Sequence, residues 1–447
     1  MPIRLIWTGS IFFLLLPLLG AQPARDSLRL EQCIDYAIAH RPSLLAAREE
    51  LRIAELDNRI AVSSWLPSLS VSGNLQHYFQ LPVSIFPDFE NPGSGETREV
   101  EIGTVNSSNL SVAARQTIFN PTVAAAVRRQ APVLEASRLL IEEEEIIVIE
   151  QVSTAFYDAV RARERYQLLG IDVLRQERAL EDARLLYENG LSDKVDYKRA
   201  TITLNRTRVE LQNAIIEEQS RIAELKQTMG YPASQELNPR YDIDYLALTV
   251  MAADLPLLDP SLRVELRRLV TQDRLLELEL LFYRRAWLPD LYLGGTYNMT
   301  WQSNEITELY DRVFPNALAS LNLNIPIFNG GRRFRQIERH SVLRNQLSYE
   351  VLDLRDRVES EYRVAVATFD QARNSYALAQ ENLALAREIY EVVDLQYREG
   401  IAPFLSVIIA ENDLQTARLD LVNSLLDAAL ARVSVRRAAG TLLTTAE

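Results

Sequence analysis

The chain is poor in the residues from which most reactive centres are built: it has one cysteine, Cys33, and three histidines, His40, His77 and His340. A single thiol closes no internal disulfide, and as a small residue on a helical face Cys33 is expected to be buried. The histidines fall on a helix, a strand and another helix, without metal-binding spacing. No phosphate-cradling glycine loop or nucleophile motif accompanies them. The sequence therefore argues for no enzyme, no cofactor and no metal. Basic residues are in deficit too, with 48 Lys and Arg against 61 Asp and Glu, a net charge of -13 and a pI near 5. With no basic stripe to displace counterions from phosphates, nucleic acid is excluded as a partner. Glycine (15) and proline (18) are few and lie mostly outside the long periodic segments, and a hydrophobic content of 47% argues against disorder. After residue 21 no apolar run is long enough for a membrane-spanning helix. An exported chain of this kind stays outside the inner membrane as a soluble protein or crosses a bilayer as strands.

Residues 1 to 21 read as an export signal. Arg4 supplies the positive end, Ile11 to Leu19 the apolar core and Gly20-Ala21 the small-residue end, with cleavage expected after Ala21. No cysteine stands at that point, so an unlipidated mature protein is expected.

The dominant feature is the stretch from Asn120-Pro121 to Asn189-Gly190. Beyond Pro132 it holds no proline and one interior glycine, Gly170, enough for a helix of roughly 57 residues and about 85 Å. Pro132 should kink this helix or mark its start. Two rows recur at sevens: Ile141, Val148, Ala155, Ala162, Leu169, Gln176, Ala183 and Val152, Ala159, Tyr166, Val173, Leu180, Tyr187. A 3.5-residue period specifies supercoiling against neighbouring helices. The rows return 210 residues later (351 − 141), as Val351 to Val393 and Tyr362 to Tyr397. Because 210 is a multiple of seven, the copy keeps the phase of the original, and the chain reads as a duplicated unit.

The expected organisation is a first repeat over 22–230, an inter-repeat linker over 231–259 with some structure of its own, and a second repeat over 260–447. Each repeat has a helix, two strands and a long helical hairpin. In the first, a helix over 28–64 restarts at Pro42 with Ser43 as its cap. Strands follow at 67–80 and 105–119, separated by a loop over 81–104, and then a hairpin over 121–229. In the returning arm Val195, Ile202, Val209, Ile216 and Ala223 stand at sevens. The second repeat has strands at 289–302 and 317–328 and a hairpin over 331–439. The run Glu142 to Glu145 is expected to face water.

The strands alternate strictly. Leu69, Val71, Leu75, Leu110, Val112, Leu291, Leu293, Leu321 and Leu323 share an apolar face, opposite Ser70, Ser72, Asn74, Ser111, Asn298 and Asn322. About 9 to 11 tilted residues cross a bilayer, and no spare helix remains to cover the apolar face, so these residues are expected to face lipid. Four strands cannot close a barrel, and unpaired edges in lipid are costly. Oligomerisation follows, and the short polar residues on the inner face favour three copies and a wet lumen over two.

Several motifs carry a resemblance over the whole chain after the signal. They are Trp65-Leu66-Pro67 and Trp287-Leu288-Pro289, then Phe119-Asn120-Pro121 and Phe328-Asn329-Gly330-Gly331. Tyr187-Glu188-Asn189-Gly190-Leu191 and Tyr397-Arg398-Glu399-Gly400-Ile401 follow, and Gly440-Thr441-Leu442 closes the set. In this order, twice, the chain resembles the TolC-type outer-membrane efflux proteins. The resemblance implies a mainly α-helical homotrimer with a membrane β-barrel of twelve strands, continued by a coiled-coil helical tunnel in the periplasm. It implies a passive exit duct of a tripartite efflux or type I secretion system, served by a periplasmic adaptor and an inner-membrane transporter. Adaptor docking would fall at the hairpin tips, on Gly190, Leu191, Gly400 and Ile401. Gate positions would be Asp196 and Tyr397, with Asp193 and Lys194 as substitutes, because Ala402, Ser406 and Ile409 stand where a basic residue and two acids are often found. The rival reading is a soluble periplasmic coiled-coil adaptor or spacer, which shares the hairpins but should lack bilayer-length amphipathic strands.

Overall fold

The computed structural model describes residues 26 to 87, 95, 97 to 190 and 192 to 443. The signal segment expected over 1 to 21 and the docking candidate Leu191 lie outside them. The chain is mostly helical and forms two compact units, each drawing on both halves of the sequence. One comprises residues 46 to 144 and 258 to 361, the other the remaining described residues.

The first unit holds a four-stranded antiparallel sheet in the order β2 (Ser68–His77), β5 (Asn106–Phe119), β7 (Asp290–Ser303), β8 (Val313–Asn324). Among the described residues, β2 and β8 each lack a strand partner on their outer side. The register puts like with like: Val71 faces Val112, Leu110 faces Met299 and Leu293 faces Leu321. Directly opposed residues project to one side of a pleated sheet, so the apolar residues of all four strands share a face. On the other face Ser72 is opposite Ser111, and Asn298 donates to Asn316 at 2.9 Å.

Three expectations are corrected in this unit. Residues 81 to 104 are not simply a loop, since β3 (Val83–Pro87) and β4 (Thr97–Glu101) pair there as an antiparallel hairpin. Pro82 and Pro87 looked like breakers, but proline is tolerated at the end of a short edge strand. The final strand runs from Val313 to Asn324 rather than 317 to 328. Pro315 is accommodated on this edge strand, whereas Ile325 to Phe328 continue the alternation without pairing. Finally, Glu142 and Glu143 do not simply face water. They pair with Arg267 and with Arg268 (2.8 Å) of α6 (Val264–Arg285), one helix turning its arginines toward the other's carboxylates.

Helix α3 (Pro121–Glu188) has 68 residues, α7 (Arg332–Arg398) 67, and both contribute to each unit. Asn120 caps α3, its Oδ1 accepting from the Thr122 and Val123 amides at 2.8 and 3.2 Å, so the helix starts at Pro121 and carries Pro132 inside it. The opening helix is divided into α1 (Leu30–His40) and α2 (Pro42–Ser63). Ser43 is not a cap: it is the second residue of α2 and its hydroxyl accepts from Arg41 Nε at 3.1 Å.

The second unit packs α1 and parts of α3 and α7 with α4 (Lys194–Met229) and α8 (Phe404–Ala439). Its main core joins Cys33 and Ala37 to Val148, Val152, Phe156, Phe369, Leu426 and Val435, all essentially closed to solvent. In the stretch between hairpins, β1 (Asp26–Leu28) pairs in parallel with β6 (Leu237–Pro239), and α5 (Ile243–Met251) follows. α4 ends on Gly230 at φ +70°, where an added Cβ would lie 3.2 Å from Arg41 Cα and from the His40 carbonyl. No helix among the described residues is long and apolar enough to cross a membrane.

Candidate functional site

Four features stand out on the surface and in the seams. On the sheet, Leu69, Val71, Leu75, Leu321 and Leu323 are each more than half exposed and Leu293 nearly half, while Leu110, Val112 and Leu291 on the same face are partly covered. Water does not favour such a continuous apolar surface.

On the helices, a second exposed pattern runs at sevens. Val195, Ile202, Val209 and Ile216 project from α4, and Val364, Leu378, Leu385 and Val392 from α7. Ile202 is 68% exposed and Leu378 61%, and Leu378 and Leu385 each stand one residue before the buried seam residues Ala379 and Ala386. Both rows are left largely exposed in the single chain.

The hairpin turns hold the positions expected for docking and gating. Gly190 and Gly400 are exposed at φ +72° and +76°, the left-handed conformation that closes a helix and favours glycine. Ile401 is exposed beside the second. Asp193 caps α4 by accepting from the Val195 amide at 3.2 Å, and Lys194 is the first residue of that helix. Asp196 accepts from the Ser192 hydroxyl at 3.1 Å. Tyr397 is half-buried against Phe404, its ring centroid 5.3 Å away, and burial followed by the charges of Asp196 and Asp182 raises its pKa. Its hydroxyl has no hydrogen-bond partner among the described residues, so Tyr397 and Asp196 are neighbours without being bonded. Between the two turns, Ala183, Ala200, Phe404 and Val407 form a small closed core.

Below that core lies a polar cluster that pattern reading did not single out. Gln176 Nε2 of α3 donates to Glu411 Oε2 of α8 at 2.6 Å, with both residues buried. Arg175 Nη1 lies 3.4 Å from Asp172 Oδ1 and 3.7 Å from Glu411 Oε1, while Arg418 Nη1 approaches Asp172 Oδ1 at 3.7 Å. The Arg175 guanidinium sits 5.6 Å over the Tyr390 ring. Burial pushes the Glu411 carboxyl up to about 7; Arg175 and the Gln176 bond oppose that rise, and the charges of Asp172 and Asp394 add to it. Asp172 is raised by burial as well, and Arg418 is lowered by burial and by the like charge of Arg175. One signal was legible: Gln176 interrupts an otherwise apolar or aromatic heptad row, and Glu411 and Arg418 fall seven apart in line with Phe404 and Leu425.

None of these groups forms a nucleophile pair, and among the described residues no cluster of His, Cys, Asp and Glu could hold a metal ion. The fold matches known channels over nearly its whole length. CusC superposes with a TM-score of 0.70 over 92% of this chain and 91% of its own, at 16% identity. The outer membrane channel CmeC of Campylobacter jejuni gives 0.69 over 92% and 86%, at 17% identity. In sequence, a 124-residue stretch covering 28% of this chain is 29% identical to the outer membrane efflux protein BepC of Brucella suis biovar 1 (strain 1330). That match spans only 27% of the length of BepC. The model of the outer membrane efflux protein family fits residues 33 to 231 and 282 to 441, which is most of the chain and takes in both hairpins. With both hairpins and most of the chain so matched, the chain belongs to the outer membrane efflux protein family.

Proposed function

We propose that this protein is the outer-membrane exit duct of a tripartite efflux or type I secretion system, conducting substrates passively from a periplasmic tunnel to the exterior and opening at its hairpin tips. The observation that carries this reading is the sheet β2-β5-β7-β8, whose apolar face is exposed and whose two edges are unpaired among the described residues. In lipid both features must be resolved together: the face by acyl chains, the edges by neighbouring strands. Three copies of four strands supply twelve, enough to close around a lumen lined by Ser70, Ser72, Asn74, Ser111 and Asn298.

The exposed rows on α4 and α7 support the same arrangement. Rows of this kind are covered when α4 of one copy meets α7 of the next, extending the barrel as a coiled-coil tunnel. The protein is then a homotrimer in the outer membrane, exported through a cleaved signal over residues 1 to 21, unlipidated, with its helices in the periplasm. A periplasmic adaptor docks at Gly190, Leu191, Gly400 and Ile401, and an inner-membrane transporter drives the flow.

A soluble periplasmic adaptor or spacer would share the hairpins, but it offers no role for a bilayer-length amphipathic sheet. Alkaline carbonate extraction of cell membranes separates the two. The duct stays with the outer-membrane fraction and needs detergent for release; a protein washed off by carbonate overturns the proposal.

A further inference from the structure

The buried charges between α3 and α8 serve no purpose in a seam that only needs to stay shut. Elsewhere the main core of this unit is filled with Val, Ala, Phe and Leu, whereas here two carboxylates and two guanidiniums are packed among helices with imperfect pairing. Neither oxygen of Asp172 has a hydrogen bond among the described residues, nor do Glu411 Oε1 and Arg175 Nη1. Replacing such a group by apolar residues is often neutral or stabilising. What an apolar seam cannot do is change its strength with conditions.

We propose that Asp172, Arg175, Gln176, Glu411 and Arg418 form a proton-operated latch between the two hairpins: with Glu411 protonated, α8 stays seated on α3, and on losing that proton the tip segments beyond the cluster separate. The inference rests on the channel reading and assigns it a control.

The proton comes from solvent and binds Glu411 Oε1, the oxygen that Gln176 does not occupy. With the proton on, Glu411 is neutral and its burial carries no charge penalty. With it off, a carboxylate is held away from water, facing Asp172 and Arg175 from α3 and Tyr390 and Asp394 from α7, while Arg418 of α8 reaches Asp172 rather than Glu411. Glu210 of α4 and Arg387 of α7 act one step removed, on Asp172 and Arg418. The nearest cation cannot fully compensate, because Arg175 is shared with Asp172 at a shorter distance.

The sign follows from linkage. Glu411 has a higher pKa when packed, about 7 against an ordinary 4.5, so the packed state binds the proton more tightly and acid favours closure. The effect lies in the window between those two values and levels off above the upper one. Within it, each pH unit shifts the ratio of seated to separated tips by up to about tenfold per chain. The small Ala183, Ala200, Phe404, Val407 core lies beyond the cluster and resists that shift.

The test uses the full-length protein in lipid bilayers, with spin labels at Arg184 on α3 and Leu405 on α8, both exposed, in a Cys33→Ser background. The expected result is a label separation and a conductance that both rise between about pH 5 and pH 8. Glu411→Gln, which mimics the protonated acid in shape, should hold the short distance across that range. Asp172→Asn removes a charge that raises Glu411 and should move the midpoint to lower pH. A wild-type distance that ignores pH, or an unchanged response in Glu411→Gln, overturns the latch. Distances that respond while conductance is absent at every pH support the latch and overturn the channel reading instead.

Discussion

Val71 and Val112 stand directly opposite one another across β2 and β5, and one step along the ladder Ser72 stands opposite Ser111. Because side chains alternate along a strand, these neighbouring pairs lie on opposite faces of one sheet. If the apolar face meets lipid, arginine on it is charged for the loss of hydration, by roughly 2 to 4 kcal/mol near the midplane. Val71→Arg and Leu293→Arg should lose that much unfolding free energy in phospholipid bilayers, while Ser72→Arg should stay close to wild type. Equal losses on the two faces would show that the inside and outside of the sheet have been exchanged or that neither meets lipid.

The second hairpin turn gives a different test. Gly400 is exposed, and nothing lies within 4 Å of the place a Cβ would take. A side chain there creates no internal clash and acts outward, against whatever docks on the turn. Gly400→Trp should abolish site-specific crosslinking to a periplasmic adaptor, and Gly400→Ala should retain most of it, losing about 1 to 2 kcal/mol at most for the left-handed backbone. Adaptor crosslinking that survives Gly400→Trp would remove this turn from the docking surface.

Gly230 shares the backbone conformation of Gly400 but not its surroundings. At φ +70° it bears the same left-handed strain, and its missing Cβ faces Arg41 Cα and the His40 carbonyl at 3.2 Å and Pro42 Cδ at 3.3 Å. Backbone neighbours cannot swing aside as a flexible side chain can. Thermal unfolding of the two alanine variants should therefore separate them, with Gly230→Ala the less stable. A Tm no lower than that of Gly400→Ala would mean that the α1–α2 junction yields without cost.

How much of this was written in the sequence depends on how far each signal reaches along the chain. The long hairpins were legible because a seven-residue period held over about twelve turns of helix is hard to mistake, and the sheet because its alternation runs unbroken from Leu69 to Leu75 and from Leu291 to Leu293. Short-range chemistry was less readable. Prolines at 82 and 87 hid the β3–β4 hairpin, and Pro315 hid the true start of β8, because edge strands tolerate proline at positions a central strand does not. Ser43 has the right chemistry for a cap but Pro42 already occupies the first helical position. The polar cluster was hidden for another reason. Gln176 and Glu411 lie 235 residues apart, and only the packing of α3 against α8 makes them neighbours.

The rows on α4 and α7 decide whether copies of this chain meet in the way proposed. Their residues repeat at sevens and stay exposed in the single chain, so they contribute nothing to its own core. A charge placed there should leave the folded chain intact and act only on assembly, where burying an unpaired carboxylate costs several kcal/mol. Ile202→Glu on α4 and Leu385→Glu on α7 are each expected to reduce the trimer population seen by native mass spectrometry in mild detergent, with circular dichroism unchanged. Complementary charges offer the sharper control. Combining Ile202→Glu with Leu385→Lys should restore trimer if the two rows face each other across copies, and should leave it broken if each row meets some other surface. Trimers that persist in both single variants would show that these rows lie outside the assembly interface, leaving the unpaired edges of the sheet as its only support.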